Sequence, residues 1–189
     1  MNNSPKLFMV LLGCTPKGRV IEQHDMFFGI AENMSELAPK MKAFWPEAKG
    51  KIHIDAWREI TIVDNHAVKV VALEETVSVE NQLYFLNLGG YRPGEFEEHH
   101  YKMLAVGPKM AVAIKKAKKS VFYKHFGFEG KGAESHIDDK YGIDVDDKHK
   151  VIDLLDVEAK SKYQIKITAL TEPKAEDKLH IGYLKIKKL

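Results

Sequence analysis

The stretch Leu7-Phe8-Met9-Val10-Leu11-Leu12-Gly13 decides how this chain is read, because it occurs twice. Much the same string returns as Leu83-Tyr84-Phe85-Leu86-Asn87-Leu88-Gly89. An apolar run of this length, closed by Gly13 and Pro16, has the length of a buried strand. It falls short of the roughly 7–15 apolar residues of a secretory signal core. The signal-like ending Leu11-Leu12-Gly13-Cys14 is therefore read as part of a strand, the N-terminus is expected to be retained, and the cytoplasm is the expected location.

Working outward, a displacement of 76 positions lays residues 7–45 on residues 83–121 without a gap. Nine of those 39 positions are identical, among them Gly13/Gly89, Gly18/Gly94, Glu22/Glu98, His24/His100 and Lys40/Lys116. With the displacement raised to 83, His53-Ile54-Asp55 meets His136-Ile137-Asp138, and seven of 16 positions agree over residues 53–68. Ordinary composition gives roughly one identity in sixteen. The chain is read as a tandem duplication, each copy β-β-α-β-β and the two related by a pseudo-twofold axis.

In the first copy Leu7–Leu12 and His24–Ala31 are the expected strands. Asn33 opens a helix with Glu36 three residues on, a capping-box spacing. Leu37, Met41 and Phe44 then make one apolar stripe, with Pro39 expected to kink or delay the helix. His53–Val63 and Val68–Leu73 follow, separated by the turn signal Asp64-Asn65. In the second copy Pro108 suits a first helical position, and Met110, Ile114, Ala117 and Val121 form the matching stripe. Ile143–Val145 and His149–Leu155 are expected as strands around a turn at Asp146-Asp147-Lys148. Tyr163–Leu170 and Leu179–Leu189 read as a final hairpin, its last strand protected by Lys185, Lys187 and Lys188. The fold class is α+β, with domains at 1–77, 78–157 and a C-terminal hairpin extension at 158–189 packed on the repeats. A repeat of this size makes a marginal core alone, so the copies are expected to pack together.

Composition narrows the function classes. The 189 residues carry 29 Lys and Arg against 27 Asp and Glu, a net charge of +2 that gives no electrostatic footprint for nucleic acid. No apolar run approaches the ~18 residues that span a bilayer. The single cysteine, Cys14, permits no internal disulfide. No nucleic acid and no membrane is expected as a partner; a small molecule or a protein is left open.

The strings Gly13-Cys14-Thr15-Pro16-Lys17-Gly18, Glu22-Gln23-His24-Asp25, His53-Ile54-Asp55-Ala56-Trp57, Gly89-Gly90-Tyr91-Arg92-Pro93-Gly94, His136-Ile137-Asp138-Asp139 and Leu179-His180-Ile181-Gly182-Tyr183 together resemble a bacterial family, domain of unknown function 1543. The resemblance covers nearly the whole chain. It implies a small soluble bacterial protein with the domain in tandem copies, and it carries over no activity and no catalytic residue.

The residues themselves hold the chemical lead. Gly13-x-x-x-x-Gly18 has the glycine spacing of a phosphate loop, but Arg19-Val20 and a strand follow where Lys-Ser/Thr and a helix are needed, so no nucleotide is expected. Cys14 has no Cys-His signature beside it. Lys115, Lys116, Lys118 and Lys119, with the aromatics Phe122 to Phe128 after them, read as a solvated helix face and core rather than a stacking platform. A Glu/His/Asp set stands out instead. Glu22 and His24, then Glu98 and His100, enter the second strand of each copy, and His53 and Asp55, then His136 and Asp138, follow each helix. Residues i and i+2 of a strand share a face, so each pair can act together. Imidazole with carboxylate suits zinc, iron, manganese or nickel, and also acid–base work near neutral pH. Structural polar anchors, a metal or catalytic site, and a non-metal ligand pocket remain open at this stage. The leading expectation is a non-enzymatic binding or accessory protein with a ligand at the repeat interface. A small metal-dependent enzyme using the Glu/His/Asp set, with a divalent metal as cofactor, is the alternative. A structural or oligomerising module is the third.

Overall fold

Strand β1 (Lys6–Cys14) forms over the first apolar string and β6 (Gln82–Tyr91) over its recurrence, and each is the inner strand of its sheet. The computed structural model describes residues 4–78, 80–91, 94–119 and 143–189. Among them the fold is mixed α+β, mostly strands with a few short helices, in three antiparallel sheets. The chain divides into two compact units, Met1–Val77 with Leu154–Leu189, and Ser78–Asp153.

In the first unit β1 pairs with β2 (Gln23–Ala31) on one side and β3 (His53–Glu59) on the other, and β10 (His180–Lys185) adds to the far edge of β3. Asn33 caps the next turn as its sequence predicts: its side chain accepts the Glu36 N–H at 3.3 Å. The Glu36 carboxylate reaches back to the Glu32 N–H at 3.2 Å. Pro39 delays the helix. A 3-10 turn, Met34–Leu37, precedes α1 (Ala38–Phe44), with the proline in its first turn, where a missing N–H costs nothing. Leu37 and Met41 are fully buried against Phe8, Val10, Leu12, Phe27 and Ile54. Such burial contributes roughly 1.5–3 kcal/mol per side chain. Phe44 lies at the rim, edge-on to Phe27 at 5.5 Å. The turn at Asp64 and Asn65 is also as expected, both at positive φ, and joins β4 (Ile62–Val63) to β5 (His66–Ala72).

In the second unit β6 lies between β7 (Glu98–Gly107) and β8 (Ile143–Lys150), covered by α2 (Met110–Ala117). Ala113 and Ala117 are fully buried on Tyr84, Leu86 and Leu88, with Met110 and Ile114 packed beside them. Val121 lies outside the described residues.

Four expectations need correction. The run His53–Val63 is not one strand; it breaks at Ile60-Thr61, where the chain leaves the β1 sheet for the sheet that holds β4 and β5. Helix α2 starts at Met110 with Lys109 as its cap, so Pro108 stands before the helix rather than at its first position. Asp146-Asp147-Lys148 is no turn. Residues 143–150 form one strand that follows β6 throughout, and its irregularity is a bulge at Asp146, so the second unit shows β-β-α-β followed by the short α3 (Val151–Leu154). Charged side chains that signal a turn in sequence are here exposed along a paired strand.

Both C-terminal strands form, the last only over His180–Lys185 with Lys187 and Lys188 in a 3-10 turn after it, but they make no hairpin. β9 (Tyr163–Ala169), entered through α4 (Val157–Lys162), pairs with β5, and β10 pairs with β3. Their connection is pinned elsewhere: the Asp177 carboxylate accepts the Thr61 and Ile62 N–H groups at 2.7 and 3.0 Å and the Thr61 hydroxyl. That clamp holds the chain at the break between the two sheets, which sends the two strands to different edges.

Candidate metal centre

The site is built around a glycine on an inner strand. Gly13 of β1 stands directly between His24 of β2 and His53 of β3. Residues opposite each other across a ladder project to the same face, so the two imidazoles flank a position that has no side chain. Leu12 and Ile54, one residue along, point to the core. A bulge between Leu11 and Leu12 leaves Asp55 without a partner on β1. Bulges re-aim side chains; this one keeps Asp55 beside His53 on the open face. Glu22, just before β2, completes the set.

The four side chains form a closed ring. His24 Nε2 lies 3.7 Å from Glu22 Oε2 and 3.3 Å from Asp55 Oδ2, and His53 Nε2 lies 3.1 Å from Glu22 Oε1 and 3.2 Å from Asp55 Oδ1. Charge-assisted hydrogen bonds of this type are shorter, about 2.7–2.9 Å. Donor atoms bound at about 2.0–2.2 Å to one ion lie roughly 3.0–3.6 Å apart in tetrahedral or octahedral arrangement. Three of the four imidazole–carboxylate contacts fall within the second spacing and none within the first. Asp55 Oδ2 is buried without a hydrogen bond, although His24 Nε2 stands 3.3 Å from it. Burying an unsatisfied carboxylate oxygen is costly, and a cation would remove that cost. A Cβ on Gly13 would collide with Asp55 Oδ2 and lie 2.5 Å from His53 Nε2. The space above the glycine is thus bounded by Asp55 Oδ2 and the His53 ring. His53 is the buried member, its side chain 11% exposed, while that of His24 is 40% exposed and opens to solvent.

The second unit repeats the plan. Gly89 of β6 faces His100 of β7, and Asp146 is the bulged residue of β8, skipped between Val145 and Asp147. One donor atom each from Glu98, His100 and Asp146 lies within 4.8 Å of the others. His100 Nε2 is 3.8 Å from Glu98 Oε2 and 3.4 Å from Asp146 Oδ2. A Cβ on Gly89 would strike Asp146 Oδ2 and stand 2.8 Å from Glu98 Oε1.

All four candidates of the first unit therefore come together, as do Glu98 and His100 of the second. His136 and Asp138 lie outside the described residues. The third donor of the second set, Asp146, was missed because it was assigned to a turn. A different alignment would have found it: Ile54-Asp55 laid on Val145-Asp146, an apolar residue followed by aspartate after each helix. Cys14 is not a donor here. It is buried, and burial, then the charge of Glu22, raises its thiol pKa and keeps it protonated.

Two comparisons with known proteins bear on family and fold. Residues 19–70 match the model of a family described as a Domain of Unknown Function (DUF1543). That segment contains Glu22, His24, His53 and Asp55. No curated protein matches the chain. The fold is similar to that of a crystal structure of protein Il1583 from Idiomarina loihiensis, with a TM-score of 0.63 and 20% identity, over 96% of this chain and 98% of that one. Likeness at that identity is one of fold alone, and none of these comparisons assigns a specific function. No helix among the described residues is long and apolar enough to cross a membrane.

Proposed function

We propose that this protein binds divalent transition-metal ions, one at Glu22, His24, His53 and Asp55, and a second at Glu98, His100 and Asp146. The ring of donors over Gly13 is the observation that carries the reading. Two neutral imidazoles and two carboxylates are suited to zinc, iron, manganese or nickel and ill suited to calcium or magnesium, which take oxygen. The two carboxylates neutralise a divalent ion. The exposed side of His24 and Glu22 leaves coordination positions for solvent or a ligand, as catalytic rather than structural sites do; this favours the metal-dependent enzyme as the second reading, after a binding protein.

The same reading takes the chain as two tandem copies of one domain, in a cytoplasmic bacterial protein. The shared placement of Gly13/Gly89, His24/His100 and the bulged Asp55/Asp146 supports duplication, and it favours a displacement of 91 over the 83 inferred from sequence for the segment after the helix. Its test is a titration of the EDTA-treated, full-length protein with Co2+, followed by absorption spectroscopy and calorimetry. One ion per unit is expected, with Asp55→Asn weakening the first by at least ~10-fold, the order seen when even supporting groups of metal ligands are lost. Failure to bind Co2+, or binding unchanged in both Asp55→Asn and Asp146→Asn, overturns the proposal.

A further inference from the structure

A third irregularity meets the first site from its outer side. Between Ile181 and Leu184 the register of β10 against β3 slips, so that Gly182 and Tyr183 together oppose Asp55. Gly182 has φ +133°, which a side-chain-bearing residue rarely adopts, so the bulge depends on glycine. Its effect is to set the Tyr183 ring against His53, with centroids 4.4 Å apart and planes at 37°. Tyr183 is 63% exposed. Lys185 lies directly across from His53, hence on the same face, while Leu184 between them packs into the core. Among the described residues Lys185 has no ion-pair partner. The phenol thus stands against the buried imidazole and Lys185 occupies the position paired with it, both on the edge strand of the sheet, and nothing in the metal ring itself requires them.

We infer that the metal of the first unit takes a small singly charged carboxylate as its exogenous ligand, held from the side by Tyr183 and Lys185. The inference rests on the metal reading above and adds the ligand to it. The charges decide the class. A divalent ion with Glu22 and Asp55 sums to zero, and Lys185 leaves one positive charge for a ligand to balance. A carboxylate balances it; a phosphate dianion leaves an excess. A carboxylate also offers one oxygen to the metal and a second to the phenol or ammonium donor.

The test uses the full chain carrying Asp146→Asn, loaded with Co2+, so that the visible bands report the first site. Acetate and inorganic phosphate are the probes. Acetate is expected to perturb the bands and to bind more tightly than phosphate. Lys185→Met is expected to weaken acetate binding at least ~10-fold, equivalent to about 1.4 kcal/mol, and Tyr183→Phe to weaken it less. Neither change is expected to lower Co2+ affinity. Absence of Co2+ bands defeats the metal reading and this inference with it. Co2+ bands that ignore acetate, acetate affinity unchanged in Lys185→Met and Tyr183→Phe, or tighter binding of phosphate overturn this inference and leave the metal reading standing.

Discussion

The two donor sets share a backbone plan and differ at one register position and one strand. Each has an inner-strand glycine, a histidine opposite it, a glutamate two residues earlier, and a bulged aspartate on the third strand. On that third strand Gly13 faces His53, whereas Gly89 faces Asp144. In the first unit the third strand is covered by β10; in the second, β8 is the last strand of its sheet among the described residues. The difference teaches how a sheet can hold its geometry and still change its chemistry. The glycine and the bulge fix where donors converge, and the residue opposite the glycine sets how much nitrogen the site offers. In the first unit imidazole draws the site towards zinc, nickel and iron; the donors described in the second, one imidazole and two carboxylates, are richer in oxygen and suit harder ions such as manganese.

The largest expected effect breaks both sites by the same means. Gly13→Val and Gly89→Val each fill the space where the donors meet. Loss of metal binding by more than ~100-fold at the affected unit is expected, beyond what loss of a supporting group costs. The fold should survive, at a cost of about 1–3 kcal/mol typical of overpacking, because the displaced side chains can turn to solvent. Calorimetric titration beside thermal melting checks this. If either variant binds metal as the parent does, the glycine is not the floor of a site.

A smaller effect sharpens the comparison. His53→Asp gives the first unit fewer nitrogen donors, closer to the second. Zn2+ affinity at the first site is expected to fall at least ~10-fold and Mn2+ affinity to fall less, since a carboxylate suits manganese. Competition titration against a chromophoric chelator measures both. Equal losses for the two ions would mean that His53 acts by packing, not by donating.

Much of this was legible in the sequence, and for stateable reasons. A buried strand shows itself as an apolar run, so Leu7–Leu12 and Leu83–Leu88 were found, and their repetition pointed to Gly13/Gly89 and His24/His100. Residues spaced i, i+2 around a strand entry also show themselves, which is why Glu22, His24, His53 and Asp55 could be grouped before their contacts were known. Bulges do not show themselves. Asp146 sits among acidic and basic residues that read as a turn, and only pairing with β6 makes it the counterpart of Asp55. Pairing partners of distant strands were equally hidden. Tyr163–Ala169 and His180–Lys185 read as neighbours because they are close in sequence, while the Asp177 clamp on Thr61 and Ile62 separates them. The aromatic partner of His53 followed that strand into place, so Tyr183 could not be connected with the site from sequence.

The smallest effect concerns two lysines that the self-alignment of the sequence pairs. Lys116 Nζ donates to the Val106 carbonyl at 2.6 Å. Lys40, its counterpart, instead bridges Asp156 and Glu158 at 3.0 and 3.1 Å, because the segment Leu154–Leu189 belongs to the first unit. Glu158 also accepts from Lys162 at 2.7 Å, and these bonds, from Lys162 first and then Lys40, lower its pKa from 4.5 to about 2. Burial alone would lower the Lys40 pKa, but its hydrogen bonds with Asp156 and Glu158 outweigh that and raise it. The signs fix the pH window. A depressed carboxyl pKa gives stability that is present above the unfolded value and lost as pH falls through the folded one. A raised lysine pKa gives stability that is present below its ordinary 10.5 for as long as the two carboxylates that raise it stay ionised. The Lys40 contacts should therefore hold α4 against α1 at pH 6 and weaken from about pH 4.5 towards pH 2. Lys40→Met is expected to lower the melting temperature slightly at pH 6, as exposed ion pairs are individually weak, and by less at pH 2. Thermal melts of parent and variant at the two pH values check it. An equal loss at both would show that the lysine stem, and not its charge, ties the C-terminal segment to the first unit.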